Sequence, residues 1–350
     1  MSAIEIEKVT LTMSGSETPV RWGFIGLGWV ASDFVAPGII ASEHSTIDAC
    51  LGSSAEKSKT FAQKFGVARV HENLTALMSD PELDAVYIAL PNAMHHEAVL
   101  AGAAAGKHML CEKPFAMSSA HALEMVQACE RAGVILRIAH QIRLDEALGH
   151  AREVVRSGRL GRLVSMSLER ASGLAVRTPW REDVSQSGVV FDVGVHLLDL
   201  IQWISDQRFV EVSAFTHPDR REGKPDDTVT VLGRLDGDCQ ATARATREVA
   251  TAQNDLIIQG EKATLLTSAL RFAKEHVVTI RDADGSIEET RFPASPAYAL
   301  EIESFANELR GIAGKLPDGR DSAYTVAVTE AVLRSVADRQ VVSVTAPTFS

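Results

Sequence analysis

Residues 21–31 have the sequence RWGFIGLGWVA, a short apolar run that stops at a glycine turn. Gly26 to Ala31 fit the pattern GxGxxA, directly after a predicted strand (Arg21–Ile25) and at the opening of a predicted helix (Val30–Ala41). In such a unit the first glycine permits the tight turn, the second lets backbone approach a pyrophosphate, and a small third residue lets helix and strand pack closely. The free N–H groups of the helix start attract phosphate. The motif predicts a dinucleotide site formed by Gly26, Leu27, Gly28, Trp29 and Val30.

The surroundings of this motif decide its meaning, because a lone glycine-rich turn is weak evidence. Residues 84–90 form a continuous apolar run, which is typical of a parallel strand covered on both faces. Predicted strands alternate with predicted helices of ten or more residues as far as His140, which indicates βαβ units. We therefore predict an α/β Rossmann domain with a doubly wound parallel sheet over residues 20–140, after a tail at 1–19.

The pattern of predicted elements changes after His140. Short strand candidates separated by turn signals such as Asp236-Gly237 and Asp284-Gly285 favour hairpins. Residues 141–345 are therefore predicted to form an α+β domain with an open, mainly antiparallel sheet, used for substrate binding and oligomerisation. The open side of such a sheet often becomes a subunit interface, so we expect a homodimer or homotetramer. The strand candidates are Val212–Phe215, Thr228–Leu235, Gln240–Thr246, Leu256–Gln259, Val277–Ile280 and Glu288–Phe292.

Composition excludes several classes of function. The net charge of −11 argues against non-specific binding to nucleic acid, although a local cleft can still bind an anionic cofactor. No apolar stretch approaches the roughly 20 residues that span a bilayer, and residues 1–19 do not resemble a signal peptide. The four cysteines lack CxxC spacing, which predicts reduced thiols and a cytoplasmic protein. No HExxH or Cys/His cluster occurs, so no metal is expected.

The end of the second predicted strand bears on the choice of cofactor. NAD-binding domains usually carry an acidic side chain there to bind the ribose 2′-OH. Here the sequence continues Leu51-Gly52-Ser53-Ser54-Ala55-Glu56-Lys57, with no carboxylate at the tip. Ser53, Ser54 and Lys57 could instead hold a 2′-phosphate, which favours NADP(H) over NAD(H). The alternative is that Ser54 is a helix N-cap and Lys57 a solvated surface charge.

Two further segments carry chemical groups. Lys113 lies at the carboxyl end of a predicted buried strand, where open α/β sheets place ligands and where a lysine can stabilise a developing alkoxide. Farther along, the spacing of Asp192, His196 and Asp199 puts three polar side chains on one face of an otherwise apolar helix. Buried ionisable groups are costly unless paired or used. The alternative makes Asp192 a helix-start carboxylate and His196 a satisfied core histidine.

Taken together, these motifs resemble the glucose–fructose oxidoreductase/inositol dehydrogenase (Gfo/Idh/MocA) family over nearly all of residues 20–340. The resemblance implies a nicotinamide cofactor over the Glu112-Lys113-Pro114 turn, often with a cis peptide before the proline. It also implies a sugar, inositol or related polyol as substrate. The motifs are GLGWVA (26–31), DAVYIALPN (84–92), EKP (112–114) and Asp192-x-Gly194-x-His196. The other expected cofactor contacts are Leu90, Pro91, Asn92, His95, Glu112 and Pro114.

The same resemblance assigns roles in hydride transfer between the nicotinamide and a carbinol or carbonyl carbon. His196 maps onto the catalytic acid/base, and an imidazole ordinarily titrates near neutral pH. Asp192 maps onto the residue that holds a neighbouring substrate hydroxyl, and Lys113 would polarise the reacting oxygen. One departure from the family pattern is Ser187-Gly188-Val189-Val190, where more glycines are usual, and this affects the shape of the pocket.

Three other residues are predicted to touch the substrate: His140 and Arg143, which follow the last Rossmann strand, and Trp180, which lies in a long loop. Their alternatives are hinge or loop packing. Asp199 is considered as a residue that orients His196. A second hypothesis from another class is a non-catalytic NADP(H)-binding regulatory protein of the same fold, which would have no need of Lys113 and His196.

Overall fold

The computed structural model describes residues 18–171, 179–250, 254–270 and 273–349, so the predicted tail lies almost entirely outside the described residues. The strands are β1 (Val20–Ile25), β2 (Ser45–Leu51), β3 (Arg69–Val70), β4 (Ala85–Ile88), β5 (His108–Cys111), β6 (Leu136–Ile138), β7 (Leu163–Ala171), β8 (Phe209–His217), β9 (Thr228–Leu235), β10 (Gln240–Thr246), β11 (Leu256–Gly260), β12 (Ala263–Thr267), β13 (Glu275–Asp282), β14 (Ile287–Pro293) and β15 (Val342–Ser343).

The α-helices are α1 (Ala36–Ala41), α2 (Ala55–Phe65), α3 (Leu74–Met78), α4 (His95–Ala104), α5 (Ser119–Ala132), α6 (Glu146–Arg156), α7 (Val195–Ser205), α8 (Ala297–Leu309) and α9 (Gly319–Asp338). Two π-helical turns, Ala31–Val35 and Val190–Gly194, run directly into α1 and α7. The predicted helices over 30–41 and 190–204 are therefore present, but each begins with a wider turn than an α-helix has. Such π turns are rare and occur frequently at functional sites.

Six described strands form the first sheet, in the order β3-β2-β1-β4-β5-β6 with every neighbouring pair parallel. This order is that of the doubly wound dinucleotide-binding fold, whose ligands bind where the strand order reverses, here between β1 and β4. All four residues of β4 are buried, as the continuous apolar run predicts. The predicted Rossmann fold is confirmed.

Nine described strands form the second sheet, in the order β14-β13-β12-β11-β7-β10-β9-β8-β15. Only β7 and β10 pair in parallel among these strands, so the prediction of an open, mainly antiparallel sheet is also confirmed. Helix α7 packs on β7 and β10. Side chains that alternate with the buried ones are exposed, among them Phe215 and Leu232.

Strand β7 lies at the centre of this sheet, between β11 and β10, and was absent from the predicted strands. Its buried positions are Leu163, Met166, Leu168 and Ala171, so the spacing of two is broken once at each end. The charged pair Glu169-Arg170 obscures the pattern further. The strand is stabilised by its neighbours in the sheet more than by local patterning, which is why the sequence did not reveal it.

The chain divides into two compact units, each built from three stretches. The first unit contains the stretch that ends at Phe115, together with Glu124–Leu144 and Pro296–Gly319. The second unit contains Ala116–Leu123, Asp145–Ser295 and Arg320–Ser350. This division differs from the single boundary at residue 140 that the sequence predicts.

Helix α8 explains much of the difference, because it packs on the Rossmann core although the sequence assigns it to the second domain. The ring of Phe305 lies 5.1 Å from that of Trp22 on β1, and both side chains are fully buried. Ile302 belongs to the same apolar cluster. Burying an aromatic side chain of this size contributes about 1.5–3 kcal/mol, so α8 is part of the first unit's core.

The four cysteines, Cys50, Cys111, Cys129 and Cys239, are buried free thiols. Burial raises the pKa of Cys50 to about 11 and that of Cys129 to about 12, which keeps these thiols protonated and poorly nucleophilic. Among the described residues, none of the helices has both the length and the apolarity required to cross a membrane.

Candidate active site

The predicted cofactor segments meet at the carboxyl edge of the first sheet. Backbone hydrogen bonds continue beyond the strands and align their ends: Ala89 N–H donates to the Ile25 carbonyl at 2.8 Å, and Glu112 N–H donates to the Ile88 carbonyl at 2.9 Å. The Gly26 N–H likewise donates to the Leu51 carbonyl at 3.1 Å. The turns after β1, β2, β4 and β5 therefore lie side by side, as required for one ligand to cross them.

Gly26 and Gly28 differ in what surrounds them. Gly26 has φ +84°, and a Cβ there would clash with the Ala89 carbonyl oxygen, so a larger residue fits neither the turn nor the space beside β4. A Cβ at Gly28 would meet nothing within 4 Å. Gly28 thus leaves open space at the helix start, where the backbone can approach a pyrophosphate. The two glycines fit a dinucleotide in the two separate ways that the motif predicts.

The helix start beside Gly28 has no side-chain cap. Val30 is the N-cap of the π turn and supplies no hydrogen bond from its side chain. Trp29 is 58% exposed, and its ring lies edge-on to that of Phe34 at 5.3 Å. An exposed indole beside uncapped N–H groups is suited to a ligand with anionic and flat aromatic parts.

At the tip of β2, the Lys57 ammonium donates to Ser53 Oγ at 3.1 Å. Ser54 is the N-cap of α2, and its Oγ accepts from Lys57 N–H at 3.3 Å. The N-cap alternative therefore holds for Ser54, and Lys57 is an exposed side chain, as its own alternative has it, with its ammonium on Ser53 Oγ. The result is a hydroxyl and an ammonium next to each other at the strand end.

The turn after β5 carries Lys113, and the Lys113–Pro114 peptide is cis, as the resemblance implies. Its geometry is held by Glu112, whose Oε2 accepts from Lys113 N–H at 3.2 Å. The other oxygen, Oε1, accepts from the buried Tyr87 hydroxyl at 2.5 Å. Burial and the Glu112 charge raise the pKa of Tyr87 well above 10, so the phenol remains a donor to this carboxylate.

His95 joins the turns after β4 and β5. Its Nδ1 lies 2.9 Å from the Pro114 carbonyl oxygen and its Nε2 lies 3.0 Å from that of Leu90. A neutral imidazole has one N–H, so it can donate to only one of these carbonyls at a time. Burial lowers the pKa of His95, and the two carbonyls act in the opposite direction. His95 therefore positions Leu90 and Pro114 rather than reaching a ligand with its ring nitrogens.

Glu301 on α8 is a second carboxyl group near this turn and lies in the same unit. It is fully buried, and neither of its oxygens has a hydrogen-bond partner among the described residues. Burial, followed by repulsion from Glu112, raises the pKa of Glu301 well above its usual range. Burial without a hydrogen-bond partner thus disfavours the charged form of this carboxyl group.

In the second unit, Asp192 lies in the π turn that precedes α7. Arg181 donates from Nη1 to Asp192 Oδ2 at 3.1 Å, and Arg247 donates from Nη2 to the same oxygen. Two guanidinium groups on one carboxylate favour its ionised form. Asp192 can thus accept hydrogen bonds, and its charge is held in place by residues from two separate segments.

His196 lies in the first turn of α7, four residues after Asp192, and is 5% exposed. Asp199 lies one turn farther along and is buried, and its Oδ1 accepts from Thr325 Oγ1 at 3.4 Å. The predicted polar stripe on a buried helix is therefore present.

The start of this helix is capped by Asp226, which lies far away in the sequence. Asp226 is fully buried, and its Oδ2 accepts from Val190 N–H at 2.9 Å while its backbone carbonyl accepts from Val189 N–H at 2.9 Å. Arg220 forms an ion pair with the same carboxylate. Burial raises the pKa of the Asp226 carboxyl, whereas the Arg220 guanidinium and the Val190 N–H act in the opposite direction.

Comparison with known proteins decides the family. Residues 20–140 match the description "Oxidoreductase family, NAD-binding Rossmann fold", and residues 149–266 match "GFO/IDH/MocA C-terminal domain". The chain belongs to the Gfo/Idh/MocA family. A 1,5-anhydro-D-fructose reductase from Ensifer adhaerens is 29% identical over 330 residues, which cover 91% of this chain and 97% of the relative. A trans-1,2-dihydrobenzene-1,2-diol dehydrogenase from Macaca fuscata fuscata is 31% identical over 235 residues, which cover 64% of this chain and 69% of the relative.

Solved structures share this Gfo/Idh/MocA fold. Aldose-aldose oxidoreductase from Caulobacter crescentus, complexed with glycerol, has a TM-score of 0.83 at 23% identity and covers 93% of this chain and 99% of its own. Levoglucosan dehydrogenase, in complex with NADH and L-sorbose, has a TM-score of 0.84 at 21% identity and covers 94% of this chain and 100% of its own.

The remaining predicted site residues lie in both units of this Gfo/Idh/MocA chain. His140 and Arg143 are buried in the first unit, and Arg143 N–H donates to the His140 carbonyl at 3.0 Å. Trp180 is half-buried in the second unit, with the Arg181 guanidinium 4.7 Å from its ring centroid. Lys113 belongs to the first unit, and Asp192 and His196 belong to the second. Among the described residues, no group of three or more His, Cys, Asp or Glu side chains could hold a metal.

Sequence reasoning missed several residues that shape these sites, among them Arg247, Asp226, Tyr87 and Glu301. Arg247 and Asp226 act on the Asp192 helix from 55 and 36 residues away, and no local pattern links them to it. Tyr87 was quoted within a motif, but its place in an apolar strand suggested packing. The burial of Glu301 was not predicted, because a glutamate on a helix near the end of the chain is ordinarily solvated.

Proposed function

We propose that this oxidoreductase transfers a hydride between a nicotinamide dinucleotide and a CH–OH or C=O carbon of a sugar, sugar derivative or cyclic polyol. The observation that carries the proposal is the start of the buried α7 helix, where two arginines hold Asp192 and His196 follows one turn later. Names of relatives point the same way: a reductase of 1,5-anhydro-D-fructose, a dehydrogenase of a cyclic diol, and a levoglucosan dehydrogenase in complex with NADH.

The proposed roles follow from the chemistry of each side chain. A bound nicotinamide supplies the hydride donor or acceptor. Lys113 donates a hydrogen bond to the reacting oxygen and stabilises negative charge on it. His196 takes or returns the hydroxyl proton. Asp192 accepts a hydrogen bond from a neighbouring hydroxyl of the substrate. His140, Arg143 and Trp180 are further candidates for substrate contacts.

NADP(H) is the proposed cofactor in preference to NAD(H). No carboxylate follows β2 at the position that would bind a ribose 2′-OH, and the Lys57 ammonium lies on Ser53 Oγ. A 2′-phosphate would gain a charge-assisted hydrogen bond to Lys57. Lys57→Ala should raise the KM for NADPH about 10-fold and leave that for NADH unchanged, while Lys59→Ala on the same helix changes neither. A wild-type enzyme with the lower KM for NADH contradicts this preference.

The function is tested by turnover with a panel of sugars and polyols, measured as the change in NAD(P)H absorbance. Lys113→Met and His196→Asn should lower kcat by at least about 10²-fold, because each removes a group that acts on the reacting oxygen. Cofactor binding, measured by titration calorimetry, should stay near the wild-type value. The matched controls are Lys59→Met and His217→Asn, two exposed side chains of the same types.

Near-full activity in both site variants would refute the assigned roles. Cofactor binding without turnover of any substrate by the wild type would favour the regulatory protein.

The open face of the second sheet supports a homodimer or homotetramer. Phe215 is 76% exposed and Leu232 is 54% exposed on this face, a large apolar exposure for a chain with no partner. Light scattering of the wild type should give a multiple of 37.7 kDa. Phe215→Glu should shift it toward the single-chain mass. The buried free thiols support the cytoplasm as its location.

A further inference from the structure

We propose that Arg247 is a positioning residue for the reaction: it keeps the Asp192 carboxylate ionised and aimed, so that Asp192 accepts a substrate hydrogen bond and carries no proton itself. This inference rests on the proposed function of Asp192. Arg247 follows β10 directly, and its own backbone is anchored because its N–H donates to the Asp227 carbonyl at 2.9 Å. Its side chain is 8% exposed and bonds to Asp192 Oδ2.

The arrangement differs from an ordinary surface ion pair in its burial. A buried guanidinium is costly to desolvate and is retained where a specific carboxylate compensates it. Arg181 adds a second guanidinium to the same oxygen, and its side chain is 16% exposed. Asp192 is the most exposed of the three, at 32%. The two arginines thus form the inner part of the cluster, and the carboxylate faces outward.

The charges assign different tasks to the two residues at the helix start. Two cations within hydrogen-bonding distance of one carboxylate strongly oppose its protonation, so Asp192 is unsuited to carry a proton during turnover. The neighbouring imidazole of His196 remains the group that exchanges one. Removing Arg247 leaves Arg181 as an arginine partner of Asp192 among the described residues, and the variant carboxylate should become easier to protonate and less well oriented.

The experiment compares Arg247→Met, Arg247→Lys and Arg181→Met with the wild type, using the sugar or polyol turned over fastest and its preferred cofactor. Arg247→Met should lower kcat/KM about 10²-fold, the scale for misplacing a group that positions substrate. Its pH profile should gain a new loss of activity on the acid side, where Asp192 becomes protonated. Arg247→Lys, which keeps the charge, should recover part of the rate and remove that acid limb.

The matched control is Arg291→Met, an exposed arginine on β14 whose Nη1 donates to Glu275 at 2.6 Å. It should retain wild-type kcat/KM. A double-mutant cycle with Asp192→Asn tests the route of the effect: if Arg247 acts through Asp192, Arg247→Met adds little to the loss already caused by Asp192→Asn. Melting temperatures of all variants identify any that are unfolded.

Three results would overturn the inference: an unchanged pH profile in a folded Arg247→Met, equal losses in the Met and Lys variants, or full additivity in the cycle. In each of these cases Asp192→Asn and His196→Asn still lose activity and the proposed function stands. Full activity of Asp192→Asn and His196→Asn is instead a failure of the proposed function.

Discussion

Two helices of this chain begin with a similar backbone geometry, but they differ in the groups that satisfy their first N–H donors. The helix after Gly26 and the helix after Gly188 both open with a π turn, and each glycine has positive φ. In the first, Ser32 N–H donates to the Gly28 carbonyl at 2.9 Å, and in the second, Asp192 N–H donates to the Gly188 carbonyl at 3.1 Å. Only the second start is closed by a carboxylate, that of Asp226.

The difference separates two ways of building a binding site. At the first helix the uncapped N–H groups and the space beside Gly28 are left for an anionic ligand, so the backbone itself is the binding group. At the second, the chain satisfies N–H groups of its own with Asp226, and the chemistry is proposed to come from side chains of the helix. A site of the first kind depends on glycines, and a site of the second kind depends on buried ion pairs.

The largest expected effect comes from removing the carboxylate that caps the start of the second helix. Asp226→Ala should lower the free energy of unfolding by about 3–5 kcal/mol, because it leaves Arg220 as an uncompensated buried charge and removes the cap of Val190. Asp219→Ala removes a half-exposed pair with Arg221 and the N-cap of the short turn Arg220–Glu222, and it should lower the free energy of unfolding much less. Urea unfolding measures both. Equal stability of the two variants would mean that the Asp226–Arg220 ion pair does not stabilise the capped start of the helix at Val190.

A smaller effect is expected at the first helix, and it should divide between two glycines. Gly26→Ala should destabilise the protein by roughly 2–3 kcal/mol, because it forces positive φ on alanine and a clash with the Ala89 carbonyl. Gly28→Ala should keep the melting temperature within about 1–2 °C, because its methyl group would enter open space and clash with nothing in the protein. The same methyl group should weaken dinucleotide binding at least about 10-fold, because it occupies the space through which the pyrophosphate approaches the backbone. Unchanged cofactor affinity in Gly28→Ala would remove the contrast between the two helix starts.

The smallest effect concerns Glu301 and depends on pH. Because burial raises its pKa above the ordinary 4.5, folded Glu301 binds more protons than the unfolded chain above that pH. Stability from this group is therefore present below about pH 4.5 and is lost as pH rises toward the folded pKa. Glu301→Gln lacks this loss.

The melting temperature of Glu301→Gln should therefore exceed that of the wild type more at pH 8 than at pH 5. Glu303→Gln, on the same helix and paired with Ser42, serves as the control. A difference that is the same at pH 5 and pH 8 would show that folding does not raise the pKa of Glu301.

Much of the first site could be predicted from sequence because its rules are local. GLGWVA fixes a turn, a helix start and an open space within six residues, and the carboxyl ends of parallel strands meet wherever their buried runs stop. The segments containing Lys57, His95 and Lys113 were placed correctly at this edge for that reason.

The second site was predicted only as a spacing on a helix. Arg247 follows β10 and the capping Asp226 precedes β9, so these two residues reach the helix start from 55 and 36 residues away through the fold of the second unit. Arg181 is only 11 residues from Asp192, but no local pattern marks it as the partner of that carboxylate. The packing of Phe305 against Trp22 could not be predicted from the sequence either. An amphipathic pattern predicts that one face of a helix is buried, but it does not identify the partner that buries it.

The place of α8 has a consequence for how the protein is made. The strands of the first sheet are translated before the second unit, yet the helix that covers Trp22 leaves the ribosome only after most of the second unit has been translated. At about 5–20 residues per second, the earlier strands wait roughly ten seconds or more with that apolar surface uncovered. The core of the first unit is therefore completed late although its strands are translated early, and the interval before α8 emerges is when a chaperone would matter most.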